Sequence, residues 1–311
     1  MTQFASPACL DRLWACAGDG PTNFFQFWDN PATLPEGFAE NHVFTRGAFP
    51  DWNHVLLNDD TGRLILAHDW PEIAAIYDKI RIPAVRSDIV RLAALHAFGG
   101  WYLDLDTRPT GALAPYVGDR DVIVFRDDRR QLKRRGDIMN GFLYMPRGSA
   151  LARRSLEETV RNIRTGRDVH RVMAFAGPYL MAELIKREPD HDPVRLWTTK
   201  VYRRENAPFD GSTPLFDHTF DRTASSWRIL QGFGILPGFG CDWGAFPDKI
   251  HSRFVRVIRD FVKEHGLYAE FLTLVSHRPA YLDRGGIPRL VEVCEANVAK
   301  QAAALGFKIA A

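Results

Sequence analysis

The sequence predicts an α/β protein: a mixed sheet flanked by helices, with a helical C-terminal extension. Three observations predict it. Short apolar or aromatic runs bounded by Gly, Pro, Asn and Asp alternate with longer stretches of helical periodicity, the pattern of a sheet with crossovers. The segment 83–107 passes from a helix signal through a double glycine directly into a strand signal. From 251 onward, apolar residues recur at helical spacing: Phe254, Ile258, Phe261 and Val262 share one face.

The bulk properties agree. A chain of 311 residues suffices for one large domain with additions or for two modest ones. Hydrophobic residues at 46% and charged residues at 25% are the proportions of a chain that buries a core. Lys+Arg at 40 against Asp+Glu at 38 leave a net charge of +2, so total charge gives no reason to expect nucleic acid as a partner. Cys9, Cys16, Cys241 and Cys294 form no C-x-x-C pair and read as isolated thiols. Met1–Ser6 has no basic segment followed by an apolar run, and no stretch reaches the ~18 apolar residues that span a bilayer. The expected location is the cytoplasm, including the inner face of its membrane.

Taken in order, Asn23–Trp28 is an aromatic run that reads as a buried strand. Asp29-Asn30-Pro31 and Leu34-Pro35-Glu36-Gly37 break it. Two apolar pieces follow, 54–57 and 63–66, and Asn58–Gly62 between them reads as a turn. Ser87, just after Pro83, is an N-cap candidate for a helix carrying Val90, Leu92, Ala93, Leu95 and Ala97. Gly99-Gly100 stops that helix. Trp101–Asp106 reads as a strand ended by Thr107-Arg108-Pro109. Further strands are expected at 122–125, at 138–145 and near 194–201, with helices at about 149–164 and from Pro178 to about Lys186. The segment 231–246 holds five glycines and Pro237, which predicts an irregular, flexible lid or acceptor loop. The expected organisation is a catalytic domain over 1–250 and a helical extension over 251–311.

The chemistry lies at Asp104 and Asp106. D-x-D also occurs at 119–121 and 190–192, but there in polar, turn-like surroundings. Asp104 and Asp106 alternate with Leu103 and Leu105, so a period of two turns both carboxylates to one face of a strand end. Two like charges repel, and burial makes each costlier. A hard divalent cation, Mg²⁺ or Mn²⁺, resolves both costs while keeping waters and taking phosphate oxygens. The carboxyl end of a strand in an open α/β sheet is where ligands bind. Asp88 and Arg91 lie three apart and share a face of the preceding helix. Asp88 can accept from sugar hydroxyls and Arg91 can donate to sugar or phosphate oxygens; the alternative is an ordinary surface ion pair.

At these residues, Ser87-Asp88-Ile89-Val90-Arg91 followed by Gly99-Gly100-Trp101-Tyr102-Leu103-Asp104-Leu105-Asp106, the chain resembles the D-x-D sugar transferases of glycosyltransferase family 32. That family includes fungal α-mannosyltransferases, and clostridial glucosylating toxins share the core motif. The resemblance is dense over 85–107 and thinner over about 20–250, where Phe24–Trp28, Asn140-Gly141-Phe142 and Ala176-Gly177-Pro178 echo family segments. It implies a GT-A-like nucleotide-sugar-binding fold and transfer with retention from a UDP- or GDP-sugar to a glycan, lipid-linked or protein acceptor, with polysaccharide biosynthesis as the expected setting. It also implies a Mn²⁺ or Mg²⁺ cofactor. Carried over, Asp106 is the direct metal ligand and Asp104 contacts ribose, sugar or metal-bound water. Asp88 and Arg91 hold the donor sugar, and Asn140 contacts it or its neighbours. Gln26 and Trp28 lie near the nucleotide. His251, with His277 behind it, is the candidate for a further metal or phosphate contact.

Two other readings compete. A haloacid-dehalogenase-like phosphatase would use the first Asp of a strand-end D-x-D as nucleophile, but Arg108 stands where that family has Thr or Val. A carbohydrate-binding protein without turnover is the other. Two basic stretches complete the reading. The run 126–135 reads as a solvated loop or as an arm reaching over the site toward a phosphate-bearing acceptor. Arg253, Arg256, Arg259 and Lys263 flank the C-terminal apolar stripe, which either covers the core or lies on an anionic membrane.

Overall fold

A computed structural model describes residues 3–16, 22–109, 122–126, 138–187, 194–198, 216–218, 227–248 and 250–305. The chain divides into two compact units, Met1–Asp221 and Arg222–Ala311.

In the first unit, helix α1 (Pro7–Ala15) precedes strand β1 (Asn23–Phe27), helix α2 (Glu36–Ala48) and strand β2 (Asn53–Leu57). Helices α3 (Asp59–Asp69), α4 (Pro71–Ala74) and α5 (Pro83–Phe98) lead to β3 (Gly100–Leu103) and β4 (Thr107–Pro109). Then come β5 (Val122–Arg126), β6 (Ile138–Met145), α6 (Ala150–Thr165), α7 (Val172–Phe175), α8 (Pro178–Arg187), β7 (Val194–Thr198) and β8 (Phe216–His218). Six strands form one sheet in the order β2-β1-β3-β6-β5-β7, and β4 pairs with β8 separately. β1 runs parallel to β2 and to β3, whereas β6 is antiparallel to both β3 and β5. The sheet is thus mixed, and the carboxyl ends of β2, β1 and β3 share one edge.

Helix α5 is buried nearly all round, with Val85, Ile89, Val90, Ala93, Ala94 and Leu95 fully enclosed. Such a helix belongs to the core rather than the surface, and it packs on α3, α6 and β1. Its exit into β3 depends on glycine twice. Gly99 has φ +66° and Gly100 φ +120°; a Cβ would stand 2.5 Å from Arg147 N at the first and 2.3 Å from Asn23 O at the second. Both the left-handed backbone and the close approach exclude larger residues. Asn23 secures the junction by donating to the carbonyls of Phe98 and Gly99.

Four local expectations are corrected. Residues 63–66 are helix rather than an apolar piece after a turn: Asn58 and Thr61 form a reciprocal capping box that starts α3. Leu34–Gly37 does not merely break the chain, since α2 begins at Glu36. The N-cap position of α5 is Ile82, with Pro83 in the first turn, so Ser87 lies inside the helix. β3 ends at Leu103, and Asp104 to Asp106 form a turn closed by Thr107 N donating to Asp104 O at 3.1 Å. The two carboxylates therefore come from a turn after the strand, not from one strand face. The other D-x-D segments and the charged residues 127–135 lie outside the described residues.

The second unit contains α9 (Trp227–Leu230), α10 (Ser252–His265), α11 (Tyr268–His277) and α12 (Ile287–Ala304). Phe254, Ile258, Phe261 and Val262 of α10 are all buried, as their spacing predicts. The segment 231–246 is irregular apart from two short 3₁₀ turns, but its first half is core rather than lid. Gly232 to Leu236 are buried, Phe233 meets Phe246 edge-on at 4.9 Å, and a Cβ at Gly232 would fall 2.3 Å from the Phe246 ring.

Candidate functional site

The site lies where α5 passes beneath the turn that follows β3. The i,i+3 spacing brings Asp88 and Arg91 to one face, and both are almost fully buried. Arg91 Nη2 lies 3.3 Å from Asp88 Oδ1 and 3.2 Å from Asp104 Oδ1, and donates to Ser87 Oγ at 2.8 Å. Its Nη1 donates to the main-chain oxygen of Asn140 on β6. The guanidinium covers the Tyr102 ring with Cζ 4.4 Å from the centroid. All of this fixes a planar cation in a fork geometry that lysine could not reproduce. Burial works against its charge, but Asp104, Tyr102, Asp88 and Asp106 together outweigh burial and hold its proton more tightly than in a free guanidinium.

Asp88 accepts from Asn140 Nδ2 at 2.7 Å. Burial pushes its carboxyl up to about 6; Arg91 opposes the rise, Asp104 adds to it and the Asn140 amide opposes it. Gly177 admits this carboxylate, since a Cβ there would stand 2.8 Å from Asp88 Oδ2. Asp104 Oδ1 accepts from Tyr102 OH at 3.1 Å, and the same hydroxyl lies 3.1 Å from Ser87 Oγ. Asp104 N donates to Gly141 O at 2.8 Å, and a Cβ on Gly141 would stand 2.4 Å from Asp104 Oδ2. The Asp104 side chain is 37% exposed, so it faces the open side of the cluster. Asp106 accepts from Thr107 Oγ1 at 3.1 Å, and burial, then the charge of Asp104, pushes its carboxyl up to about 6.

Asp88, Arg91, Asp104 and Asn140 are thus one bonded cluster, and Asp106 acts on it through charge. Trp28 stands beside it. Its ring packs on the cluster of Phe38, Leu56 and Leu105, the residue between the two aspartates, and its Nε1 donates to Thr33 Oγ1. Gln26 is wholly buried in β1, with Oε1 2.7 Å from His42 Nδ1 and Nε2 lacking a hydrogen-bond partner. His251 and His277 belong to the second unit, and both are exposed. Among the described residues, no group of three or more His, Cys, Asp or Glu side chains could hold a metal ion. The sequence reading missed Tyr102 as a bridge, Ser87 as a partner of Arg91, and Asn41. Asn41 is fully buried in α2 and donates to Leu105 O at 2.7 Å, bracing the turn from below. Only the Tyr in the G-G-x-Y-x-D-x-D motif and the Ser four residues before the Arg signalled the first two; nothing local signalled Asn41.

The fold is an open mixed α/β sheet with a polar cluster beyond the carboxyl end of a central strand, the place where sheets of this class commonly take their ligands. Within it, residues 35–124 match the family described as the glycosyltransferase sugar-binding region containing DXD motif. Among curated proteins, the chain is 38% identical over 84 residues to inositol phosphoceramide mannosyltransferase 3 of Schizosaccharomyces pombe, covering 27% of this chain and 24% of that protein. It is 28% identical over 99 residues to inositol phosphoceramide mannosyltransferase 2 of the same organism, covering 31% and 28%. The chain therefore spans about a quarter of the length of the curated relatives it matches. Of solved structures, the PaToxG glycosyltransferase aligns with TM-score 0.44 and 18% identity over 54% of this chain and 70% of that one. A glycosyltransferase involved in glycosylation of the major capsid of PBCV-1 aligns with TM-score 0.36 and 10% identity over 64% and 93%.

Proposed function

We propose that this chain is a metal-dependent glycosyltransferase of GT-A-like fold. In this reading it moves a sugar from a UDP- or GDP-sugar to a glycan, lipid-linked or protein acceptor, with retention of configuration, in polysaccharide biosynthesis at the cytoplasmic side. The observation that carries the reading is the bonded cluster of Asp88, Arg91, Asp104 and Asn140 inside the matched D-x-D region and the strand that follows it. The names of the curated relatives put a mannosyl donor first among those to try.

The donor set suits a hard divalent cation. Asp104 and Asp106 offer only carboxylate oxygens, and burial together with the Asp104 charge raises Asp106, a cost that a cation removes. Asp106, with Asp104, would hold Mn²⁺ or Mg²⁺, leaving its remaining positions to water and diphosphate. When bound, the ion neutralises the diphosphate leaving group.

The residues divide the remaining work. Asp88 accepts from a donor-sugar hydroxyl, held in place by Asn140 and Arg91. Arg91, already fixed by Ser87, Asp104 and the Asn140 carbonyl, stabilises charge on the departing phosphate without reorganising. Trp28 offers its ring to the base, and Gln26, paired with His42, backs the nucleotide side. The acceptor hydroxyl attacks the face that the diphosphate leaves. The new acceptor–C1 bond forms as the C1–O bond to phosphate breaks, and the hydroxyl proton passes to the leaving phosphate oxygen. The test is a panel of labelled UDP- and GDP-sugars, mannosyl donors included, assayed for Mn²⁺-dependent hydrolysis or transfer. At least one donor turns over in this reading; none turning over with any cation would overturn it.

A further inference from the structure

The second unit carries a feature that the donor site does not use. Between α10 and α12 lies a groove of about 660 Å³. Arg256, Arg259 and Lys263 of α10 and Arg289 of α12 line it over an apolar floor that includes Val255 and Leu290. No carboxylate is among the described lining residues. The three α10 cations sit at i, i+3 and i+7, so helical spacing aligns them along one side, opposite the buried stripe of Phe254, Ile258, Phe261 and Val262. Asp260 pairs with Arg259 at 2.8 Å and reaches Arg256 at 3.7 Å, and Glu295 stands near Lys263 at Cys294. Arg256 is 83% exposed, so its charge is directed to solvent.

We propose that this groove docks the phosphate headgroups of an anionic bilayer. Charge complementarity selects the ligand class: four cations converge on one cavity in a chain whose total charge is nearly neutral. Val255 and Leu290 beneath the cations are buried, and Leu282, 43% exposed in the turn that leads to Gly285 and Gly286 of the groove wall, adds an apolar side chain that a bilayer can take up and a free anion cannot. Apolar side chains flanked by Arg and Lys are the pattern of an interfacial surface. Among the described residues, no helix is long and apolar enough to cross a membrane, so contact through these residues is peripheral. The proposal is independent of the donor-site reading: it concerns a different unit and a different ligand.

The test is co-sedimentation of the full chain with vesicles of phosphatidylcholine alone and of phosphatidylcholine mixed with phosphatidylglycerol, at low and high salt. The expected result is binding to the anionic vesicles only, released by salt. Arg256→Glu with Arg289→Glu lowers that binding by at least about tenfold, since each surface cation contributes roughly a fivefold attraction and two are reversed. Lys186→Glu with Arg187→Glu, which makes the same charge change on α8 of the first unit, leaves it within about threefold. Matching far-UV circular dichroism of both variants with the parent shows that folding is not the cause. Failure to bind anionic vesicles overturns the proposal. So does an equal loss in the two variants, which would assign binding to overall charge. Inorganic phosphate binding without vesicle binding would mark a free-anion site and overturn it as well.

Discussion

Arg91 Nη2 stands 3.2 Å from Asp104 Oδ1, so the core helix before β3 and the turn after it are joined through one ion pair. The same guanidinium reaches Asp88, Ser87 and the Asn140 carbonyl. Arg91→Ala leaves Asp88 buried without its cation, which costs about 3–5 kcal/mol. Urea unfolding should show that loss together with loss of donor turnover. Unchanged stability would mean that the pair is dispensable to the fold.

Gly141 tests the site without touching a charge. Its missing Cβ leaves the space that Asp104 Oδ2 occupies, at 2.4 Å. Gly141→Ala should move the Asp104 carboxylate, weaken donor binding at least tenfold and cost about 1–3 kcal/mol through overpacking. Gly37→Ala on α2, where a Cβ meets nothing within 4 Å, should be neutral or slightly stabilising. Calorimetric titration of the two variants separates them; equal donor affinity would show that the close approach is unimportant.

His42 and Asp88 contribute to the pH dependence of stability with opposite signs. Burial lowers His42 from 6.5 to about 4, so the unfolded chain binds the proton that the folded chain refuses, and His42 makes stability rise with pH between about 4 and 6.5. Burial raises Asp88 from 3.8 to about 6, so the folded chain binds the proton more tightly, and Asp88 makes stability fall as pH rises through about 4 to 6. His42→Asn should therefore leave the Asp88 trend exposed. Thermal melts from pH 4 to 7 should show a Tm that falls more steeply with rising pH in the variant than in the parent. Parallel profiles would contradict the assignment.

Much of this architecture was legible because it is written in strong local signals. Pro83, the Gly99-Gly100 stop and the α10 stripe each act within a few residues, and the structure places their elements accordingly. The misreadings arose where one composition serves two geometries. Asn58-Asp59-Asp60-Thr61 has the residues of a turn, yet the Asn58–Thr61 box makes them a helix start. Leu103-Asp104-Leu105-Asp106 has the alternation of a strand, but the Asp104–Thr107 hydrogen bond folds it into a turn. The glycines of 231–246 suggested mobility, whereas Gly232 is small because Phe246 packs on it. Contacts made across the sheet, such as Asn140 to Asp88 and Asn41 to Leu105, join residues 52 and 64 positions apart and have no local signature.

In the proposed function Asp106, with Asp104, holds a divalent cation beside the nucleotide-sugar. The most direct test is Mn²⁺-dependent turnover of the accepted donor by the parent and by Asp106→Ala, with Mn²⁺ binding followed in parallel by electron paramagnetic resonance. The folded variant is expected to lose turnover by at least about a hundredfold, roughly 2.7 kcal/mol of transition-state stabilisation, and to retain no Mn²⁺. Turnover that persists in Asp106→Ala, or that needs no divalent cation in the parent, would contradict it.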